Sequence, residues 1–109
     1  MKTLKEYAEA VINNKNNPHA LAEMLLEMSA KYAFITEIMK DLAVKHNIFY
    51  QDRKIGEKPP SDKAIELDWC ASDDGGEELR AKYELKALEK LQSSIKSYLR
   101  TQEVERYNL

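Results

Sequence analysis

The chain has 109 residues, of which 33% are charged and 8% aromatic, with a formal net charge of -2 and a pI near 5.7. That length suits a single domain, 1–109, and the mildly acidic balance leaves nucleic-acid binding to a local patch, not to the chain as a whole. A lone cysteine, Cys70, excludes an intramolecular disulfide, no apolar run reaches the ~18 residues of a membrane span, and MKTLKEYAEA lacks the apolar core of a signal peptide, so a cytoplasmic protein with no membrane contact is expected.

The first helix is expected over about residues 3–13. Thr3 and Glu6 form a capping box, and Leu4, Tyr7, Ala8 and Val11 share one apolar face. Asn13, Asn14, Asn16 and Asn17 break the pattern, because asparagine side chains compete for the backbone and favour turns. Asn17 suits an N-cap, and Pro18 suits the first helical position, where its missing N–H costs nothing.

The stretch 17–50 organises the rest. Leu21, Leu25, Met28, Tyr32, Ile35, Met39, Leu42 and Phe49 follow a 4-3 alternation in which His46 takes the one polar place. Four heptads of this spacing predict a helix of roughly 45–50 Å with one packed seam. Such a helix is long for a chain of about 100 residues, whose compact radius of gyration is ~13 Å, so it requires a partner helix. Leu26, Ala33, Phe34 and Ile38 flank the seam and predict a buried face wide enough for more than one neighbour. Glu27–Lys31 and Asp41–Lys45 are spaced to pair along the outer face.

Residues 51–76 connect the long helices. Gly56, Pro59 and Pro60 end the central helix and make 51–60 a linker. Ser61 caps a short helix over about 61–71, with Ile65, Trp69 and Cys70 on its inner side and Trp69 closing the end of the helix pair. Ser72 to Gly76, SDDGG, reads as a hinge.

A last helix is expected over about 77–107. Ala81, Leu85, Leu88, Gln92, Ile95, Leu99 and Gln102 repeat the 4-3 spacing, widened by Leu91 and Tyr98. The prediction is an all-α fold of two long antiparallel helices with coiled-coil-like or bundle packing. Gln92, Gln102 and His46 are polar seam residues of the kind that set register. Two long stripes leave more apolar surface than one chain covers, so a homo-oligomer is expected.

Little here carries catalytic chemistry. Residues 62–78 hold seven acids, including Asp68, Asp73, Asp74, Glu77 and Glu78, against Lys63. Their spacing does not fit a calcium loop, and acids at a helix start already complement its dipole. His46 has no second histidine at metal spacing, since His19 is 27 residues away. Cys70 has no His/Asp arrangement and reads as a small buried apolar residue. No phosphate loop, paired-cysteine zinc pattern or serine elbow occurs, so neither an enzyme, a metal nor a cofactor is expected. Lys82, Lys86 and Lys90 stand at i, i+4 and i+8, followed by Lys96 and Arg100. With Tyr83, Tyr98 and Tyr107 near them, this face suits weak, salt-sensitive binding of single-stranded DNA, although Glu84 and Glu89 interleave and the same pattern serves as a solvated helix face.

Three blocks, Lys63 to Trp69, Lys82 to Arg100 and Glu105 to Asn108, resemble small helical proteins of bacteriophages and prophages of Gram-positive bacteria. The resemblance covers roughly the last 45 residues and transfers no catalytic residue. It implies a phage early-region protein, often encoded near replication and recombination genes and usually without an assigned activity, and the leading expectation is a non-enzymatic interaction protein of the host cytoplasm, an accessory in DNA recombination or replication. Two alternatives remain open. One is an inhibitor of a host defence nuclease, anti-CRISPR-like, docking through the acidic segment. The other is a structural helical bundle with protein partners.

Overall fold

A computed structural model of the chain describes residues 2–107, with side-chain placement through 104. Among the described residues the fold is all-α: α1 (Leu4–Asn13), α2 (Pro18–Arg53), α3 (Asp62–Ala71) and α4 (Asp73–Tyr107). The contacts divide into two compact units, Met1–Ala33 with Glu84–Leu109, and Phe34–Tyr83. In each unit a stretch of α2 packs antiparallel on a stretch of α4.

The first unit is built on α1. The Thr3 hydroxyl accepts from the Glu6 N–H at 3.2 Å, as the expected cap requires, while the Glu6 carboxylate reaches back to the Thr3 hydroxyl and not to its backbone N–H. Asn17 caps α2 by accepting from Ala20 N–H. Tyr7 and Val11 of α1, Leu21, Met24 and Met28 of α2, and Leu88 and Ile95 of α4 are buried. Full burial of such side chains is worth about 1.5–3 kcal/mol each. Met24, outside the 4-3 stripe, is a core residue that the spacing did not reveal. Lys31 does not pair with Glu27 along α2. It reaches Glu84 of α4 at 3.1 Å and Lys2 O at 3.2 Å, and lies over the Tyr7 ring, while Glu27 accepts from the Tyr7 hydroxyl. A lysine that can reach a neighbouring helix keeps its apolar stem covered there, which an exposed i,i+4 pair does not offer. Two of the polar seam residues bond across the packing: Gln92 donates to Ser29 at 3.1 Å, and Gln102 donates to the Lys15 carbonyl.

The second unit buries Ile35 and Leu42 of α2, Ile65 and Trp69 of α3, and Ala81 of α4. Here Lys45 lies 3.9 Å from Asp74 of α4 instead of pairing with Asp41. The central helix runs to Arg53, three residues beyond the expected end, and the chain turns at Gly56, whose φ of 116° is left-handed backbone that favours glycine. Lys54 closes this turn, donating to Pro60 O at 3.0 Å and pairing with Asp62 at 2.7 Å.

The expected hinge at 72–76 is not a hinge. Ser72 ends α3, and its hydroxyl accepts from Gly75 N–H at 3.0 Å, so α4 begins at Asp73 instead of 77. Gly75 is buried against the end of α3. A Cβ there would stand 1.8 Å from the Trp69 carbonyl oxygen. Its glycine serves close packing of the two helices, not chain flexibility.

Every residue of the expected seam is buried or half-buried: Leu21, Met28, Ile35, Leu42, Leu88 and Ile95 fully, and Leu25, Tyr32, Met39, His46, Phe49, Leu85, Gln92 and Leu99 in part. The flanking set differs. Leu26 is 74% and Phe34 63% exposed, Ala33 is exposed, and only Ile38 is partly covered. The single chain therefore buries one stripe of α2 and leaves the second in solvent. Cys70 is also exposed, not buried, because Ile65 and Trp69 occupy the inner face of α3 and the next residue points about 100° away from Trp69.

Candidate functional site

Three sets of residues carry charge or ring chemistry, and the structure treats them differently.

In the second unit, α2 presents His46, Phe49 and Tyr50 toward α3 and α4. The His46 ring lies on the Trp69 indole, with centroids 4.4 Å apart and planes 9° from parallel, and Phe49 meets the same indole edge-on at 5.3 Å. His46 Nε2 is 2.9 Å from Glu66 of α3, and Nδ1 is 3.4 Å from Glu78 of α4. The same Glu78 oxygen accepts from Trp69 Nε1 at 3.2 Å. His46, Glu66 and Glu78 line a shallow groove of about 310 Å³ with Ala43, Asn47 and Tyr50. Both ring nitrogens already face a carboxylate, so neither is turned to a substrate as a general base would be. No group of three or more His, Cys, Asp or Glu among the described residues is arranged to hold a metal ion.

Beside this groove, Tyr50 donates to Asp62, which also holds Lys54. The Lys54 ammonium, followed by the Tyr50 hydroxyl, holds the Asp62 carboxyl below its ordinary range. Asp62 in turn raises both Lys54 and Tyr50. This trio fastens the start of α3 to the end of α2.

The acidic segment is thus partly spent inside the fold. Asp74 and Glu78 face Lys45 and His46, whereas Asp68, Asp73 and Glu77 are exposed. His19 pairs with Glu23 at 3.1 Å on the surface of α2, far in sequence from His46.

The basic residues are all exposed. Lys82 belongs to the second unit. Lys86, Lys90, Lys96 and Arg100 belong to the first, where 100° per residue puts them within an arc of about 120° on α4. None of the five forms an ion pair among the described residues. The two glutamates that interleave with them in sequence are engaged elsewhere: Glu84 with Lys31, and Glu89 with the Tyr32 hydroxyl at 2.8 Å, which raises Tyr32. Serines 93 and 97 lie in the arc, and among the described side chains no aromatic does. Tyr98 is half-buried on another side of the helix, Tyr83 is exposed in the other unit, and Tyr107 lies beyond the described side chains.

Sequence reasoning singled out His46, Trp69 and Glu78 separately, passed over Glu66, and missed that the four meet. Nothing local joins positions 46, 66, 69 and 78, since only the folding of α3 between the long helices unites them. No protein-family model, curated protein or solved structure matches the chain.

Proposed function

We propose that the protein is a non-enzymatic interaction module whose α4 basic face tracks the phosphate backbone of DNA, in the manner of a phage accessory to recombination or replication. One observation carries this reading. Glu84 is paired with Lys31, and Glu89 is the one acid within the arc, where it accepts from the Tyr32 hydroxyl, while Lys86, Lys90, Lys96 and Arg100 are exposed without ion pairs among the described residues. Lysines and arginines on this face contact phosphates and read no base edges, so binding is sequence-tolerant, weak and salt-sensitive. The resemblance to small phage and prophage proteins supports DNA as the polyanion and the host cytoplasm as the setting. Among the described residues no helix is long and apolar enough to cross a membrane.

The inhibitor reading has less support, because two of its five acids are committed to Lys45 and His46. Self-association is part of the proposal. Leu26 and Phe34, exposed on α2, are the kind of surface a second copy covers.

The test is fluorescence anisotropy of a labelled single-stranded oligonucleotide at low salt. Lys86→Glu with Lys90→Glu is expected to abolish binding, whereas Asp68→Asn with Asp73→Asn leaves it intact or tightens it. Unchanged binding by the lysine variant would overturn the reading.

A further inference from the structure

The four basic residues of the first unit form an even series once Ser93 is placed among them. Lys86, Lys90, Ser93, Lys96 and Arg100 are all exposed on α4 and belong to the same unit. Successive members are four, three, three and four residues apart. Each step therefore rises about 6 or 4.5 Å and turns about 40° one way or 60° the other. At the ~6 Å radius of a helix with its side chains, every step comes to about 7 Å. The five donors mark a path that sweeps across the arc over about 21 Å of helix, with Ser93 at its centre. We propose that this path seats one extended strand of single-stranded DNA, five consecutive phosphates to five donors. The inference rests on the reading of this face as a phosphate-contacting surface, and adds the form and length of DNA that fits it.

A step of that size matches one nucleotide of an extended strand, so each donor meets the next phosphate and none is skipped. Without Ser93 the cations fall into two pairs, with about 14 Å between Lys90 and Lys96, which is two nucleotides. A serine hydroxyl donates to a phosphate oxygen and carries no charge. Its short reach brings the middle of the strand closest to the helix. Glu89, the one acid in the arc, stands beside the path between Lys86 and Ser93, where the Tyr32 hydroxyl donates to it. A duplex fits less well. Each strand of B-form DNA rises only about 3.4 Å per phosphate, so four steps carry it about 14 Å along the axis and more than a third of a turn around it. An unbroken helix follows a strand that straightens beside it and parts from one that curves away, so a duplex meets fewer of the five donors.

The experiment is fluorescence anisotropy of the full chain with labelled oligothymidylates of about two to ten nucleotides, which bracket the expected site. Affinity at low salt is expected to rise steeply up to five phosphates, in an oligomer of about six nucleotides, and to level off beyond it. The slope of log K against log salt is expected to reach about -3 at that length and then hold, because the four cations release counterions and the neutral serine does not. An unlabelled hairpin duplex, counted per phosphate, is expected to displace the strand at least about threefold less well than unlabelled strand does. Ser93→Glu is expected to weaken binding about tenfold or more, and Ser94→Glu, outside the arc, by less than about threefold. The proposal is overturned if the salt slope keeps steepening beyond about eight nucleotides, if duplex competes as well as strand, or if the two serine variants weaken binding alike. Each of those results leaves the phosphate-contacting face standing. Failure of every oligonucleotide to bind at low salt would remove that face and this inference together.

Discussion

The His46 ring stacks on the Trp69 indole at 4.4 Å with planes 9° apart, so the one polar residue of the α2 stripe packs as an aromatic while its edge meets two carboxylates, Glu66 and Glu78. Trp69 is 2% exposed and joins Phe49, His46 and Glu78. Trp69→Ala is expected to cost about 3–5 kcal/mol, the range for truncating a large buried aromatic. Trp69→Phe should cost less, because the stack survives and only the indole hydrogen bond is lost. Urea unfolding followed by circular dichroism checks both.

Adjacent glycines at the α3–α4 junction separate two roles of the residue. Gly75→Ala places a Cβ 1.8 Å from the Trp69 carbonyl oxygen and forces the helix ends apart, so it is expected to destabilise. Nothing lies within 4 Å of a Cβ at Gly76, and Gly76→Ala is expected to stabilise by about 0.4–1 kcal/mol through the unfolded chain. Thermal melts of the two variants should move in opposite directions.

The Tyr50–Asp62–Lys54 trio sets a pH window. Asp62 titrates below its ordinary range in the folded chain, so its contribution is complete above about pH 4 and is lost as pH falls through the depressed value. Lys54 and Tyr50 are raised, so theirs is complete below about pH 10 and is lost as pH rises beyond it. Asp62→Asn is expected to flatten the acid limb of stability against pH, as read by denaturant midpoints from pH 2 to 6.

Leu26 and Phe34 test whether the uncovered stripe has a purpose. Leu26→Glu and Phe34→Glu remove exposed apolar side chains and should leave helicity unchanged. Light scattering is expected to show a self-associated parent and a lower mass for each variant. A monomeric parent would remove the argument from stripe width.

The main stripe was legible because a 4-3 spacing over four heptads admits one buried face, and all fourteen seam positions are buried or half-buried. Caps were legible for the same local reason: Thr3, Asn17 and Ser61 each accept from a first-turn N–H. The flanking set misled, since Leu26 and Phe34 have the residue type of a core without a neighbour in the chain to cover them. Asp73 to Gly76 misled in the opposite sense. Two glycines signal a break locally, yet Ser72 caps the helix and Gly75 meets Trp69, a contact that exists only once α3 is seated. Lys31 and Lys45 chose acids on α4 over those on their own helix for the same nonlocal reason. On the basic face the spacing was visible, but the pairing of Glu84 with Lys31 across the helix pair was not.

The salt dependence of single-stranded DNA binding tests the central claim most directly. Four phosphate contacts from Lys86, Lys90, Lys96 and Arg100 predict that log K falls against log salt with a slope of about -3, and that neutralising two of them, Lys86→Gln with Lys90→Gln, removes about half of it. A slope near zero, or no binding at low salt, would contradict the account.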